Sequence, residues 1–457
     1  MRSILFSAVL ALLAGCSFTT AAGLEECQVS ADCSSDQVCT QGFCLPQPAG
    51  CDRFRGSEES SAIPLGALIP LSTGAGTIDE SDQQALNAVE LALDEANQRD
   101  VKGRKLALYI CDTAGDLERT RKQAAWLVKD KQVAGVVTAG SSQTLEAAKE
   151  TLPKGVLTIS YSATSPELTS LQDTNGGAVG LVWRTSPSDA IQGRVIANLL
   201  LNDARFSGIT KVGILYVNDP YGQGLFNVIS EQLSGKRTTS SRFYERRGDV
   251  SAAVSQLNAT DPDITVLVGF EDDARRIIQQ AATESNLSRA SGHRWFFTDS
   301  VKDVTVLQDT TVRGQVDGSY GTAPAQGAGQ AYNAFSSRFL TKYNKDPSDY
   351  SFISHAYDAM YLMVLGAAYS QGTTNAVTGA KMAEGLTKVS TGSSSASTQL
   401  TSSNFTFLLG EMAAGRTLNL EGASGRLDFD DKGEASSPIE LWRVEGTTFQ
   451  HVQAIEP

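Results

Sequence analysis

Short hydroxyl side chains follow two apolar, strand-like segments of the sequence, at points where each segment turns into a predicted helix. Ser141 and Ser142 come after "GVVTAG", and Ser162 and Thr164 come after "GVLTIS". Such a helix start presents hydroxyl groups, free backbone N–H groups and the positive end of the helix dipole at one point. That combination suits a carboxylate, although helix capping alone would explain each residue taken singly.

A tyrosine and a carboxylate occupy comparable positions in the second half of the chain. Tyr221 follows the strand-like segment "KVGILYVND", and Asp299 follows "RWFFT". Each has a simpler explanation, since the tyrosine could pack on the surface and the acid could cap the next helix. Hydroxyl and N–H donors for a carboxylate, together with one carboxylate for an ammonium group, are nevertheless typical of a site for an α-amino acid.

The sequence offers little that would support catalysis. His293, His355 and His451 are its only histidines, and they are far apart, without the HExxH spacing of a metal site. The sequence has no GxSxG nucleophile elbow and no Walker phosphate loop, and "GAG" at 74–76 lacks the third glycine of a dinucleotide-binding loop. We therefore expect a binding protein that is not an enzyme and uses no cofactor or metal.

The elements that must position these residues alternate between strands and helices. Apolar segments bounded by glycine, such as "IPLGALIPL", are separated by amphipathic segments such as "DQQALNAVELALDEANQ". This alternation predicts parallel sheets covered by helices on both faces. It restarts after "LVWRTSPSDAIQG", so we expect two α/β blocks in series, and the tail is expected to form a β-hairpin with an Asp-Lys-Gly turn at 431–433.

The charge of the chain restricts its partners. The sequence has 38 Lys and Arg against 51 Asp and Glu residues, which gives a formal net charge of −13. No cluster of Lys and Arg offers a footprint for phosphate groups, so we expect no nucleic-acid partner. An acidic surface is compatible with an exported protein and a small polar ligand.

The N-terminus predicts an exported lipoprotein. Arg2 precedes a short apolar run that ends in "LAGC" at Cys16. The run is too short to span a bilayer, and small residues directly before a cysteine resemble a bacterial lipobox. We expect residues 1–15 to be removed as a signal peptide and Cys16 to carry the lipid anchor. An ordinary signal peptide with a chance cysteine is the alternative.

Six cysteines remain besides Cys16, and four of them lie in "CQVSADCSSDQVCTQGFC". These four are Cys27, Cys33, Cys39 and Cys44. The stretch has too few apolar side chains for a core, so we expect two disulfides to hold it. Zinc is the alternative, but the spacing is not CxxC and no histidine is near. Cys51 and Cys111 remain as a possible third pair, and the sequence alone leaves the connectivity open.

Several of these segments, taken in order, resemble type I periplasmic binding proteins, and most closely the leucine/isoleucine/valine-binding group of ABC-transporter substrate-binding proteins. They are "ALIPLSTG", "AGSSQTLEAA", "ISYSATSPELT", "VWRTSPSDAIQG", "VGILYVNDPYGQGL" and "LDFDDKG". The resemblance covers about residues 62–455. It implies an α/β fold of two Rossmann-like, doubly wound lobes that are joined by three crossovers and close on a ligand.

The resemblance also implies boundaries for these parts. Lobe 1 would comprise about residues 62–183 and 320–420, and lobe 2 about residues 184–319 and 421–455. Residues 16–61 would form a tether that includes the small cysteine-rich module (27–44) and a linker.

A role for each site residue follows from the same resemblance. Ser141 or Ser142 and Thr164 would contact the ligand carboxylate, and Ser162 would contribute main-chain contacts. Tyr221 and Asp299 would close over the ligand from lobe 2, with Asp299 on the ammonium group. Phe270 would be the aromatic residue at the cleft. The sequence departs from the family pattern in two places. The loop "AGTIDESDQQ" lacks the aromatic residue often found over the ligand side chain, and an aspartate stands at 299 where the closest relatives carry a glutamate.

The expected function is that of a lipid-anchored, extracytoplasmic substrate-binding protein. It would deliver an amino acid, branched-chain or otherwise apolar, to the permease and ATPase subunits of an ABC importer. One alternative is a ligand-sensing receptor that signals to a membrane partner. Another is a cell-envelope interaction protein with a vestigial cleft. The sequence does not decide whether the inner or the outer membrane holds the anchor.

Overall fold

The computed structural model of the chain describes residues 25–34, 36–73, 76–390 and 396–456. The expected signal peptide and the lipidation site Cys16 lie outside these residues, as do residues 391–395 of a serine-rich stretch. The chain divides into two units, one that ends at Pro48 and one that begins at Ala49. Within the described ranges, no helix has the length and apolar character needed to cross a membrane.

The first unit contains two short strands, β1 and β2, and strands alternate with helices through most of the second unit. The strands are β1 (Gln37–Thr40), β2 (Phe43–Pro46), β3 (Arg53–Gly56), β4 (Ile63–Ile69), β5 (Leu106–Asp112), β6 (Gly135–Thr138), β7 (Leu157–Ser160), β8 (Val182–Arg184), β9 (Lys211–Val217), β10 (Thr238–Tyr244), β11 (Ile264–Val268), β12 (Arg294–Phe297), β13 (Tyr320–Pro324), β14 (Thr398–Gln399), β15 (Leu420–Gly422), β16 (Gly425–Arg426), β17 (Ile439–Glu445) and β18 (Thr448–Ile455). The α-helices are α1 (Glu80–Asn97), α2 (Leu117–Lys129), α3 (Ser141–Thr151), α4 (Pro166–Thr169), α5 (Asp189–Asn202), α6 (Pro220–Leu233), α7 (Ser251–Asn258), α8 (Glu271–Ala281), α9 (Thr310–Val316), α10 (Gln330–Tyr343), α11 (Ile353–Thr374), α12 (Gly379–Leu386) and α13 (Phe405–Ala413).

The first unit is a small module built on the hairpin of β1 and β2. Two disulfides hold it, Cys27–Cys39 and Cys33–Cys44. Of the four cysteines only Cys44 is buried, in keeping with the scarcity of apolar side chains in this stretch. The expectation of two disulfides is confirmed, and sulfurs bound in this way are not thiolate ligands for zinc.

The first lobe of the second unit is a sheet of six strands in the order β3-β5-β4-β6-β7-β8. All are parallel except the edge strand β3, which is antiparallel to β5. Alternate residues of β4 face opposite sides: Leu65 and Ala67 pack into the core that contains α1 and α11, whereas Leu68 packs with Trp126 of α2. Burial on both faces explains why the strand is apolar along its whole length.

A third disulfide, Cys51–Cys111, joins the segment before β3 to the last residues of β5. Cys51 lies just before β3, and Cys111 lies within β5, to which β3 is hydrogen-bonded. The disulfide therefore ties the antiparallel edge strand to the parallel part of the sheet.

The second lobe is a sheet of seven strands in the order β10-β9-β11-β12-β13-β17-β18. The first five are parallel, and the hairpin of β17 and β18 adds antiparallel strands at one edge. The parallel strands of both lobes have the same order when numbered along the chain, namely 2-1-3-4-5. In such doubly wound sheets, ligands bind beyond the carboxyl ends of the strands where the order reverses. The expected fold class is confirmed.

The chain passes between the lobes three times, through residues 185–188, 325–329 and 428–438. These positions differ from the expected boundaries in two places. Strand β13 belongs to the second sheet, so lobe 2 extends to Pro324. Leu420 and Leu427 pack into the core of lobe 1, so the last crossing follows Leu427 and not residue 420.

The hairpin of the tail forms, but its turn is not where the sequence analysis placed it. Strands β17 and β18 are joined at Gly446, which has a φ of 62°. The 431–433 segment lies in one of the crossings, where the carboxylate of Asp430 accepts the N–H groups of Lys432 and Glu434. An Asp-Lys-Gly sequence is equally suited to such a side-chain-stabilised turn, and local chemistry alone did not distinguish the two.

Candidate ligand-binding cleft

A cleft lies between the two lobes, beyond the carboxyl ends of both parallel sheets. The empty space within its outline is about 680 Å³, which includes open solvent. Loops after β4, β6 and β7 line it from lobe 1, and residues that follow β9, β10, β11 and β12 line it from lobe 2. Its position is therefore the one at which a doubly wound sheet binds ligands.

Two serine hydroxyls of lobe 1 line the cleft with a proton to donate. Gly140 lies two residues after the end of β6, and its φ of 67° lets the chain turn directly into α3. The N–H of Gly140 donates to Oγ of Ser162 at 2.9 Å, and the N–H of Ser165 donates to Oγ of Ser141 at 3.1 Å. Because each hydroxyl accepts an N–H in these contacts, its own proton can be donated to a carboxylate.

These hydroxyls do not cap the helices that follow them. Gly140 is the N-cap of α3 and makes no side-chain cap bond, while Ser165, not Ser162 or Thr164, caps α4 by accepting the N–H of Glu167. The capping alternative therefore holds for Ser165 and not for the predicted ligand-binding residues.

Thr164 and Asp189 form a buried pair beside the cleft. The N–H of Asp189 donates to the carbonyl of Thr164 at 2.8 Å. The Thr164 hydroxyl and the Asp189 carboxyl group are buried, with exposed fractions of 1% and 0%, and a side-chain hydrogen bond with Thr164 acts to lower the pKa of Asp189. Burial, together with the charge of Asp299, holds the pKa of Asp189 well above its usual value. Neither side chain is among those that line the cleft.

Asp299 is a nearly inaccessible carboxylate at the lobe 2 side of the cleft, with an exposed fraction of 1%. The hydroxyl of Tyr221 donates to its Oδ1 at 2.8 Å, and Nε2 of Gln192 donates to the same oxygen at 3.0 Å. Ser300 Oγ donates to the other oxygen at 3.2 Å. Burial raises the pKa of Asp299. Its partners fix the carboxylate in place but are neutral, so it is arranged to bind a cationic group.

Phe270 ends the connection from β11 to α8 and lines the cleft. Its ring centre lies 5.7 Å from that of Tyr221. The guanidinium of Arg246 lies over the Phe270 ring, with its Cζ atom 3.6 Å from the ring centre. The ring therefore presents an apolar surface with a stacked cation. Arg246 itself was not predicted from the sequence.

Ser142 differs from the other predicted residues, because it bridges the lobes and is not among the residues that line the cleft. Its hydroxyl donates to Oδ2 of Asp219 in lobe 2 at 3.4 Å. Nearby, Oγ of Ser165 donates to the carbonyl of Pro220 at 2.9 Å, and Nη1 of Arg247 donates to the carbonyl of Ala114 at 3.1 Å. The lobes are thus in contact around the cleft, and a ligand within it would be enclosed.

Three further carboxylates line the cleft. Asp79 and Asp82 come from the start of α1 in lobe 1, and Glu271 comes from the start of α8 in lobe 2. The hydroxyl of Tyr161 donates to Oδ1 of Asp82 at 2.6 Å. Burial and the neighbouring charge of Asp79 raise the pKa of Asp82 to about 8, and burial raises the pKa of Asp79 and of Glu271 as well.

The cleft thus brings together most of the predicted residues and several that were missed. Ser141, Ser162, Tyr221, Phe270 and Asp299 line it, and Thr164 is buried beside it. Asp189 and Gln192 lie in "SPSDAIQG", which was quoted for its family resemblance but whose acid is easily taken for a helix-start carboxylate. Asp79 and Asp82 lie in "AGTIDESDQQ", the loop noted for its missing aromatic residue. The sequence shows that the loop is acidic, but it does not show that these side chains line the cleft.

Comparison with known proteins identifies a matching family and several similar proteins. Residues 84–447 match the family described as "Receptor family ligand binding region". The chemotactic signal transduction system substrate-binding protein BasB of Halobacterium salinarum is 24% identical over 372 residues, which are 80% of this chain and 83% of BasB. The Leu/Ile/Val-binding protein of Escherichia coli K12 is 25% identical over 239 residues, which are 51% of this chain and 62% of that protein.

Solved structures show the same fold. The leucine binding protein LivK from Thermotoga maritima has a TM-score of 0.69 and 17% identity, over 87% of this chain and 99% of its own. The branched-chain amino acid transporter substrate-binding protein LivJ from Streptococcus pneumoniae, solved with isoleucine, has a TM-score of 0.67 and 19% identity, over 87% of this chain and all of its own. These likenesses confirm the resemblance to type I periplasmic binding proteins. Since the family match covers most of the sequence, the chain belongs to the receptor family of ligand-binding regions.

Proposed function

We propose that the protein is an extracytoplasmic substrate-binding protein that binds an α-amino acid between its two lobes and presents it to an ABC importer. The observation that carries this proposal is the opposition of two kinds of group across one cleft. Ser141 and Ser162 offer hydroxyl protons on lobe 1, and Asp299 offers a buried, cation-free carboxylate on lobe 2.

The binding mode follows from these groups. The ligand carboxylate would accept hydrogen bonds from Ser141, Ser162 and Thr164, at the positive end of the α3 dipole. The ammonium group would bind Asp299, which lines the cleft. Because the two ends of the ligand are held by different lobes, binding stabilises the closed arrangement.

Delivery to a transporter is supported by the relatives. The Escherichia coli relative is named as a Leu/Ile/Val-binding protein, and the Streptococcus pneumoniae structure is of a transporter substrate-binding protein. The partners would then be permease and ATPase subunits of an ABC transporter. A lipid on Cys16 would keep the exported protein at the membrane in which those subunits lie, or on the facing one.

Sensing is the second candidate function, and one observation favours it. BasB, which aligns with 80% of this chain, is named as part of a chemotactic signal transduction system. The same closure on a ligand would then be recognised by a membrane transducer. Deleting the gene separates the two functions, since loss of labelled amino-acid uptake indicates import, and loss of the chemotactic response with intact uptake indicates sensing.

Amino-acid binding itself is tested by thermal unfolding of the purified protein with each of the twenty amino acids. A ligand at 100 times its dissociation constant should stabilise the folded protein by about 2.7 kcal/mol. We expect one chemical class of amino acid to raise the melting temperature and the corresponding amine without the α-carboxylate to have no effect. If no amino acid raises it, the proposed function is wrong, and an interaction protein with a vestigial cleft becomes the better explanation.

A further inference from the structure

The cleft is lined by three acidic side chains besides Asp299, which is unexpected for an apolar ligand side chain. Asp79, Asp82 and Glu271 line it. In the part of the chain that the structure describes, none of the three has a Lys or Arg nitrogen within 4.0 Å, whereas the neighbouring Asp272 is paired with Arg247 at 3.0 Å. Asp79 has an exposed fraction of only 5%. An unpaired carboxylate at such a depth is costly unless a cation joins it.

The cations that line the cleft do not neutralise these carboxylates. Lys302 is bound to Glu440, with Nζ and Oε2 2.7 Å apart. Arg246 is stacked on Phe270, and the charges of Asp272, Glu271 and Asp79 all act on it. One guanidinium thus faces more carboxyl groups than it can pair with, and a ligand cation beside them would favour their charged form.

A metal ion does not fit this arrangement. Among the described residues, one group of at least three candidate metal ligands has its donor atoms within 4.8 Å of one another. It consists of Cys27, Cys33 and Cys44, whose sulfurs are in disulfides, and it includes no carboxylate of the cleft. The cleft carboxylates are therefore more widely spaced than the oxygen cage of a Ca²⁺ or Mg²⁺ ion requires. An organic cation with several N–H donors can instead bind carboxylates that lie apart from one another.

We propose that the cleft selects an α-amino acid with a cationic side chain, lysine or arginine, whose ammonium or guanidinium group binds among Asp79, Asp82 and Glu271. This inference rests on the amino-acid binding proposed above. The rings of Phe270, Tyr161 and Phe352 line the same cleft and would cover the methylene groups of such a side chain. A leucine side chain would instead desolvate the carboxylates without a compensating charge.

Matched ligands separate this inference from the proposed function. Isothermal titration compares lysine with norleucine, which lacks the terminal ammonium group, and with cadaverine, which lacks the α-carboxylate. Arginine is compared with citrulline, its neutral counterpart. We expect lysine or arginine to bind at least tenfold more tightly than its neutral counterpart. If norleucine or leucine binds more tightly than both lysine and arginine, the inference is wrong while the proposed function stands. If cadaverine binds as tightly as lysine, or no amino acid binds, the proposed function fails and the inference fails with it.

A variant locates the effect within the cleft. Asp79 is the N-cap of α1, and its side chain accepts the N–H of Asp82. Asn caps helices as well as Asp, so Asp79→Asn removes the charge and keeps the cap. We expect the preference for lysine over norleucine, or for arginine over citrulline, to fall at least tenfold in Asp79→Asn. Glu118→Gln removes one charge from an exposed pair on α2 and should leave this ratio within a factor of two. An unchanged ratio in both Asp79→Asn and Glu271→Gln would overturn the assignment.

Discussion

At the scale of single residues, strand ends were the informative positions. Asp299 and Tyr221 could be predicted because each follows an apolar strand and has a side chain suited to an ammonium group. Asp189 could not be predicted in this way, since an acid in the first turn of a helix has an ordinary explanation. Only the structure shows that its carboxyl group is fully buried and that its N–H donates to the carbonyl of Thr164.

The first prediction concerns the ammonium site. Asp299→Asn should weaken binding of the best amino-acid ligand by about thirtyfold or more, because neutralising one partner of a desolvated charge pair costs on the order of 2–5 kcal/mol. Thr164→Ala removes one neutral hydroxyl and should cost less, roughly 1 kcal/mol. Isothermal titration measures both. Asp261→Asn is the control, because Asp261 is exposed, with a φ of 48° that Asn tolerates. Parent-like binding by Asp299→Asn would mean that another group holds the ammonium.

The second prediction concerns the raised pKa of Asp82, about 8 against 3.8 for a free carboxyl. In the unliganded protein the folded state keeps this proton between roughly pH 4 and 8 while the unfolded state has lost it. The free energy of unfolding should therefore fall as the pH rises through this window. Asp79 raises this pKa further, whereas Tyr161, Arg246 and Arg247 oppose the shift.

Denaturation of the wild type and Asp82→Asn at pH 5.5 and 7.5 tests this prediction. The wild type should lose stability relative to Asp82→Asn as the pH rises, by at most about 1.4 kcal/mol per pH unit. Burial lowers the pKa values of His293 and His355 to about 4 and about 3, but these groups are present in both proteins and cancel in the difference. A difference that is independent of pH would contradict a proton on Asp82.

At the scale of elements, the spacing of apolar residues along the sequence was sufficient to predict most strands and helices. The segment "AYDAMYLMVLGAAYS" lies in α11, which is buried along nearly its whole length against α1, α12 and α13. What the pattern could not show is pairing between distant segments. Strand β13 joins the second sheet by pairing with β12 and β17, and that choice depends on contacts that no local window contains.

The third prediction concerns the disulfide between Cys51 and Cys111, which closes a loop with a sequence separation of 60 residues. Closing a loop of that size restricts the unfolded chain and should stabilise the folded protein by about 4 kcal/mol in the chain-entropy description. Replacing both cysteines with alanine should lower the free energy of unfolding in guanidinium by roughly 2–4 kcal/mol. Mass spectrometry of the unreduced parent should find no free thiol at either position. A loss below about 0.5 kcal/mol, the usual scatter of surface substitutions, would mean that the bond does not constrain the sheet.

At the scale of the whole molecule, the sequence resemblance gave the two-lobed architecture, and it could do so because six ordered segments matched together. It did not give the chemistry of the ligand side chain. That depends on how charges from both lobes add up in one cleft, with Asp79 and Asp82 on one side and Glu271 on the other. Only the folded arrangement shows this sum.

The fourth prediction concerns the attachment of the whole molecule to a membrane. If Cys16 carries a lipid, the full-length protein should be found with membranes, and Cys16→Ser, which cannot carry that lipid, should be found in the soluble extracytoplasmic fraction. Fractionation followed by immunoblotting measures the distribution, and Glu118→Gln, which changes an exposed side chain on α2, is the control. Equal membrane association of Cys16→Ser and the parent would refute lipidation at this residue.

The three crossings also determine when the protein can fold. Lobe 1 takes core residues from β4 onward and again from α10 to Leu427, and lobe 2 is completed only by β17 and β18. Neither core can therefore close until nearly the whole chain has been synthesised, although domains made of contiguous segments fold as soon as they emerge. A polypeptide with this arrangement stays unfolded during synthesis for longer than one with two consecutive domains. Passage through a translocation channel needs an unfolded chain, so the same interlacing that forms the cleft favours export.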